Sequence, residues 1–205
     1  MRDARPWYVL LLGGASGVGK TSVGYRLARH FGVGLTEVDD FQIVLEHMTS
    51  PVDFPELHFW RTHRDEALRM TEDEHLAFGI RYSQVIARGL ELVIANHIAT
   101  RTSILLEGDF IHPSLAVRPA YDDVPADGRV RAVVLYEEDE RQLLTNYRLR
   151  EGEEQPVRAR VSWRYSEWLR REAERLGVPS IAARPWESVL ERVVAVLDPP
   201  AAAEG

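Results

Sequence analysis

The chain has 205 residues, enough for one α/β domain with room for an insertion. Its formal charge of −7 argues against a nucleic-acid partner, whose phosphates demand a basic surface. There is no cysteine, which excludes disulfides, thiolate zinc sites and cysteine nucleophiles. No apolar run reaches the roughly 20 residues that a membrane-spanning helix needs.

Residues 1–6 read as a short frayed leader with no signal-like apolar core, so a soluble cytoplasmic protein is expected. Tyr8 to Leu12 is a continuous apolar run, the pattern of a strand buried on both faces. It leads into Gly14-Ala15-Ser16-Gly17-Val18-Gly19-Lys20-Thr21, which satisfies G-x-x-x-x-G-K-[ST] at every specified position. Val23, Leu27 and Phe31 follow at helical spacing, with Gly32 as a left-handed cap.

The residue types of this loop match one task. Glycines bring successive backbone N–H groups close to an anion, and the helix N-terminus adds unpaired donors and a positive dipole end. Lys20 can reach the β- and γ-phosphates, and the Thr21 hydroxyl can ligate Mg²⁺. Gly14, Ser16, Gly17, Val18, Gly19, Lys20, Thr21 and Ser22 are therefore the expected nucleotide-binding residues.

Residues 35–39 read as a second strand ending in Asp39 and Asp40. Asp39 is expected to point into the site and accept the proton of an acceptor hydroxyl, with Asp40 capping the next helix or supporting from behind. Residues 41–100 hold no strand signal and read as a helical insertion over the acceptor, ending in a long helix over 72–99. Arg61, Arg64 and Arg81 are its candidates for an acidic substrate group. His58 and His63 lack a metal-ligand set.

Residues 103–109 form a third strand, apolar and then abruptly acidic at Glu107 and Asp109. Ligands of open parallel sheets gather at the carboxyl ends of strands. Asp109, the further out, is the expected Mg²⁺ ligand and substrate contact, and His112 a further acceptor candidate. Residues 113–127 read as an irregular connection, 130–135 as the fourth strand and 137–150 as a helix.

Arg148, Arg150, Arg158 and Arg160 flank a polar loop at 151–157, the pattern of a small lid over 148–160. Arg148 and Arg158 are the expected contacts to the transferring phosphoryl. A helix over 158–176, a fifth strand over 179–182 and a final helix over 186–197 complete the domain, and 198–205 read as a disordered tail. Trp186, between the last strand and helix, is a candidate contact for the nucleotide base. The expected fold is a three-layer α/β/α P-loop NTPase domain over 1–197, with about five parallel strands, a helical insertion and a short lid.

These motifs together resemble the small-molecule P-loop kinases, and among them the 2-phosphoglycerate kinase-like proteins, with a likeness running over residues 8–197. The resemblance implies use of ATP and Mg²⁺, phosphorylation of a small hydroxyl compound, and roles for Lys20, Thr21 and Asp39. Two stretches depart from it: Glu107-Gly108-Asp109-Phe110-Ile111-His112-Pro113 and Leu57-His58-Phe59-Trp60. Both fall where an acceptor should bind. Gluconate-, antibiotic- and nucleotide-sugar-phosphorylating kinases remain alternatives within this class. A regulatory switch lacks its Asn-Lys-x-Asp and Asp-x-x-Gly motifs, and a motor ATPase would need a longer chain and more sheet.

Overall fold

The computed structural model describes residues 6–198. The expected leader before Pro6 and the tail after Asp198 lie outside the described residues. Asp198 itself was expected in the tail but is held by an ion pair of 3.0 Å to Arg131.

Strand β1 (Val9–Gly14) runs two residues further than its apolar stretch, straight into the loop. Helix α1 (Lys20–Phe31) begins at the motif lysine and stops at Gly32, whose φ of 61° lets its own N–H reach the Arg29 carbonyl and the Val33 N–H reach that of Ala28. Strand β2 (Gly34–Glu37) is shorter than expected. It passes without a loop into helix α2 (Val38–Met48), so Asp39 and Asp40 lie in a first helical turn.

Two short helices, α3 (Pro55–Thr62) and α4 (Arg64–Ala67), precede the long α5 (Glu72–Thr100). Thr71 and Glu74 form a reciprocal capping box that fixes where α5 starts. Strand β3 (Ile104–Gly108) ends just before Asp109.

The connection expected to be irregular contains a 3₁₀ turn over Pro113–Val117 and a minimal antiparallel pair, β4 (Ala120–Tyr121) with β5 (Val124–Pro125). The positive φ values of Asp122 and Asp123 make that tight reversal. Then come β6 (Val130–Tyr136), α6 (Glu140–Glu151), α7 (Pro156–Leu176), β7 (Ser180–Ala182), a 3₁₀ turn over Trp186–Ser188 and α8 (Val189–Leu197).

The main sheet has the order β2-β3-β1-β6-β7, and every pairing in it is parallel. Alternation along β1 divides the core. Leu10 and Leu12 pack with α1, α6, α7 and α8 on one face, while Val9 and Leu11 pack with α5 and Leu57 of α3 on the other. Three layers result. With β1 central, the phosphate loop emerges between the ends of β3 and β6, where strand ends can place side chains on either side of it.

Candidate functional site

One cleft of about 700 Å³ lies along the carboxyl ends of these strands. It is lined by the loop from Ser16 to Ser22, by Glu37, Asp39, Glu107 and Asp109, and by Asn146, Arg150, Arg158, Arg184 and Trp186. The sheet therefore collects at one place residues that are up to 170 positions apart in the chain, as parallel topology requires.

The loop itself is held open by glycine. At Gly19 φ is 94°, and a Cβ there would stand 2.6 Å from the Trp186 ring. That indole therefore lies directly on the turn into α1. Gly14 does not line the cleft. It closes β1, where a Cβ would run into the Leu135 carbonyl oxygen, so packing alone requires glycine there. Asn146 donates to the Gly17 carbonyl at 2.8 Å and pins the loop to α6.

Lys20 is buried, and its Nζ donates to the Ala15 carbonyl at 2.9 Å and to Asp109 Oδ1 at 2.5 Å, with Glu107 Oε1 at 3.9 Å. Burial works against the ammonium, but the pull of Asp109 and Glu107 raises its pKa above the ordinary value. Thr21 Oγ1 donates to Glu107 Oε2 at 3.2 Å. Asp109, expected beside the metal, is thus the partner of Lys20, and Glu107 is the carboxylate that meets the Thr21 hydroxyl.

Glu107 is 3% exposed, and loss of water pushes its pKa up to about 7 despite the opposing charge of Lys20. The folded protein therefore binds this proton more tightly than the unfolded chain. Stability contributed by the protonated form is present at low pH and declines as pH rises from about 4.5 toward 7. Glu107→Gln is expected to be more stable than the parent at pH 8, by at most ~3 kcal/mol. The gap should close toward pH 5, as urea denaturation at both pH values would measure.

Asp39 opens onto the cleft from the first turn of α2. Its carboxyl is raised above the usual range, chiefly by partial loss of water and next by the charge of Asp109, with Lys20 opposing. Asp40, three residues beyond the end of β2, neither caps α2 with its side chain nor lines the cleft. Helix phase explains the split: neighbours in a helical turn point about 100° apart, so only one can face the loop.

Other expectations are corrected by geometry. Arg148 does not line the cleft. It is two-thirds exposed and paired with Glu154 at 3.3 Å. Arg150 takes the position expected of it, and Arg150 and Arg158 both lie over the Tyr147 ring, at 5.2 and 4.5 Å, while sharing Glu151. Position 148 is two residues earlier on α6, which turns it away from this ring.

His112 is neither an acceptor contact nor a surface group. It is buried, its Nδ1 accepts from the Ser114 N–H at 3.1 Å, and its ring meets Trp168 edge-on at 5.6 Å. Burial lowers its pKa. Arg81 lies over Phe78 in a separate depression with Phe59, His63, Glu66 and Met70. Arg61 donates to His58 Nδ1 at 2.8 Å, and Thr49 holds the other ring nitrogen of His58 at 3.0 Å. None of these reaches the cleft.

Glu37 and Asn146 line the cleft unexpectedly, and Arg184 joins them from the Arg184-Pro185-Trp186 turn. Arg184 had a visible signal, since it precedes the Pro185-Trp186 turn. Its guanidinium lies 5.6 Å from the Trp186 ring, with Nε 3.4 Å from the buried Glu137. Asn146 and Glu37 had none, because a helix-face Asn and a strand-end Glu are common surface residues.

The residues fit a triphosphate with a hard divalent cation. The loop N–H groups and Lys20 suit phosphate oxygens, and the Thr21 hydroxyl beside Glu107 is an oxygen-donor pair of the kind Mg²⁺ takes. Among the described residues, no cluster of three or more His, Cys, Asp or Glu side chains converges on one ion position. No described helix is long and apolar enough to cross a membrane.

No family model matches the chain. The 2-phosphoglycerate kinase of Methanococcus vannielii is 28% identical over 115 residues, and that of Methanocaldococcus jannaschii 26% over 113. Each match covers 52% of this chain, less than the 8–197 span its motifs suggest. The chain spans only 37% and 35% of those two relatives. In fold, it is similar to the shikimate kinase of Acinetobacter baumannii in complex with shikimate, at a TM-score of 0.54 and 14% identity over 92% of both chains. A sugar kinase from Janibacter sp. aligns at 0.52 and 18% identity, covering 94% of this chain and 95% of that one. The chain resembles the small-molecule P-loop kinases, and its fold is the three-layer α/β/α one of these structures.

Proposed function

We propose that the protein is a kinase that moves the γ-phosphoryl of ATP to a hydroxyl group of a small molecule. The observation that carries this reading is that Lys20 of the phosphate loop and the Asp39 carboxylate open onto one cleft, joined by Asp109. A nucleotide-binding module without chemistry has no need of a proton acceptor facing the γ-phosphate position. The similarity to 2-phosphoglycerate kinases over half of the chain supports the same class.

In this reading the loop N–H groups bind the phosphates, and Lys20 leaves Asp109 for the β,γ-oxygens. Thr21 and Glu107 would hold Mg²⁺, which supplies charge neutralisation at the phosphate oxygens. The acceptor oxygen forms a bond to the γ-phosphorus as the bond to the β,γ-bridging oxygen breaks. The hydroxyl proton passes to Asp39, and ADP leaves. Arg150 and Arg158 face the developing charge from the lid, held at rest by Glu151 and Tyr147.

The lid assignment separates neighbouring arginines. Arg158→Ala and Arg150→Ala are each expected to lower kcat about 10²-fold, the loss seen when one preorganised donor is removed. Arg148→Ala should stay within about twofold, because an exposed ion pair contributes little. Steady-state kinetics on the three variants checks the order.

The kinase reading itself is tested by ADP release with ATP, Mg²⁺ and a panel of small hydroxyl compounds. Release raised by one acceptor supports it. Steady hydrolysis indifferent to every acceptor, but raised by a macromolecule, sinks it.

A further inference from the structure

A buried carboxylate with no part in the chemistry above stands behind the nucleotide side of the cleft. Glu137, the residue after β6, is 3% exposed. Its Oε1 accepts from the backbone N–H groups of Glu138 and Asp139 at 3.1 and 3.4 Å. Its Oε2 is buried and receives no hydrogen bond, yet it lies 3.4 Å from Arg184 Nε. Sheet register brings the two residues together. Tyr136 of β6 pairs with Ala182 of β7, and the Ala183 N–H donates to the Tyr136 carbonyl at 2.7 Å, so the chain leaves both strands side by side.

The turn that carries Arg184 has its own anchor. Arg192 of α8 donates from Nη1 to the Ala182 carbonyl at 2.8 Å and from Nη2 to the Pro185 carbonyl at 2.9 Å. The backbone of the turn is thus held independently of Glu137, which leaves the Arg184 side chain to be placed. A long, 40% exposed arginine has many rotamers to lose. A buried carboxylate is retained only where hydrogen bonds or an opposite charge answer it, and Arg184 is the cation that reaches Oε2. The same guanidinium lies over Trp186, 5.6 Å from the ring, and Trp186 lies on Gly19 of the phosphate loop. Trp186 is the one aromatic side chain among the described residues that line the cleft, so a flat base finds its stacking surface at this end.

Resting on the nucleotide half of the kinase reading above, we propose that Glu137 is a positioning residue for Arg184. It fixes the guanidinium over Trp186, and the two planar groups together receive the base of the nucleotide. Ordering Arg184 in advance spares the nucleotide that cost when it binds.

The test measures binding of ATP with Mg²⁺, and of inorganic tripolyphosphate with Mg²⁺, by calorimetry on the parent and on three variants. Glu137→Gln keeps an amide oxygen for the Glu138 and Asp139 N–H groups but turns an NH₂ toward Arg184, which cannot pair with it. Its Kd for ATP is expected to rise about tenfold, within what a stacked base contributes, while its Kd for tripolyphosphate stays within about twofold. A general loss of folding would weaken both ligands together. Arg184→Ala should weaken ATP at least as much. The double variant Glu137→Gln with Arg184→Ala should bind ATP no more weakly than Arg184→Ala alone, because Glu137 acts through Arg184. It also removes the buried charge that Arg184→Ala leaves unpaired, which separates a lost contact from lost folding. ATP and tripolyphosphate weakened together in Glu137→Gln, ATP binding unmoved in that variant, or full additivity in the double variant overturns the assignment while the kinase reading stands. A parent chain that binds neither ligand overturns both.

Discussion

Asp39→Asn is expected to lower kcat about 10²- to 10⁴-fold with little change in ATP affinity, the range for loss of a positioned general base. The side chain keeps its size and its place in the first turn of α2, but an amide cannot take the hydroxyl proton. ATP affinity should hold because Asp39 makes no hydrogen bond to the loop, whose own bonds run from Lys20 to Ala15 and Asp109. The pH profile supplies a second readout. The carboxyl of Asp39 is raised by loss of water and by Asp109, so its basic form is lost as pH falls through a value above the usual carboxylate range. The parent should lose kcat/KM on the acid side at that raised pKa, and the residual activity of the Asn variant should lack that limb. Unchanged turnover in Asp39→Asn would remove it from the mechanism.

Lys20→Met should have an effect at least as large, and it acts twice. Removing the cation that meets the β,γ-oxygens is expected to cost about 10³-fold or more in kcat/KM for ATP. It also strips Glu107 and Asp109 of their partner at 3.9 and 2.5 Å. Breaking a buried pair from one side destabilises by ~3–5 kcal/mol, and here the low end applies, because Asp109 is 27% exposed and Glu107 can take up a proton. The loss should therefore be largest above pH 7 and shrink as pH falls and Glu107 is neutralised. Nucleotide titration and urea melts at pH 6 and pH 8 measure the two effects separately. A variant that bound ATP normally would contradict the placement of Lys20.

Much of this site was legible before any coordinates. The phosphate loop declares itself because its chemistry needs backbone freedom and a lysine at fixed spacing, and local sequence carries both. The parallel sheet was legible for a related reason: strands buried on both faces read as continuous apolar runs, as Val9 to Leu12 does. What failed was side-chain direction. Arg148 and Arg150 differ by two positions on α6, and only the packing of that helix's Tyr147 against Gly17 of the phosphate loop decides which one faces the cleft. His112 looked like a loop residue, yet Trp168, 56 positions later, makes it a buried cap. Glu37 escaped notice because its neighbour across the sheet, Glu107, is 70 residues away. Each miss depends on a contact between distant segments, which periodicity within one segment does not encode.

The absence of any loop between β2 and α2 has one more consequence. Val38 is wedged against Gly108, where an added Cβ would meet it at 2.6 Å, so the start of α2 is riveted to the end of β3. The far end of α2 is different: Val44 and Met48 are exposed, and the chain then leaves for α3. The helix is thus fixed to the sheet at the root that bears Asp39 and tied to the insertion at its tip, where Leu45 abuts Gly89 of α5, Glu46 accepts from the Tyr82 hydroxyl at 3.5 Å and Thr49 meets His58 at 3.0 Å. An engineered change in this region is therefore confined to exposed positions such as Val44 and Met48, because exchanging α5 would strip the core from Val9 and Leu11.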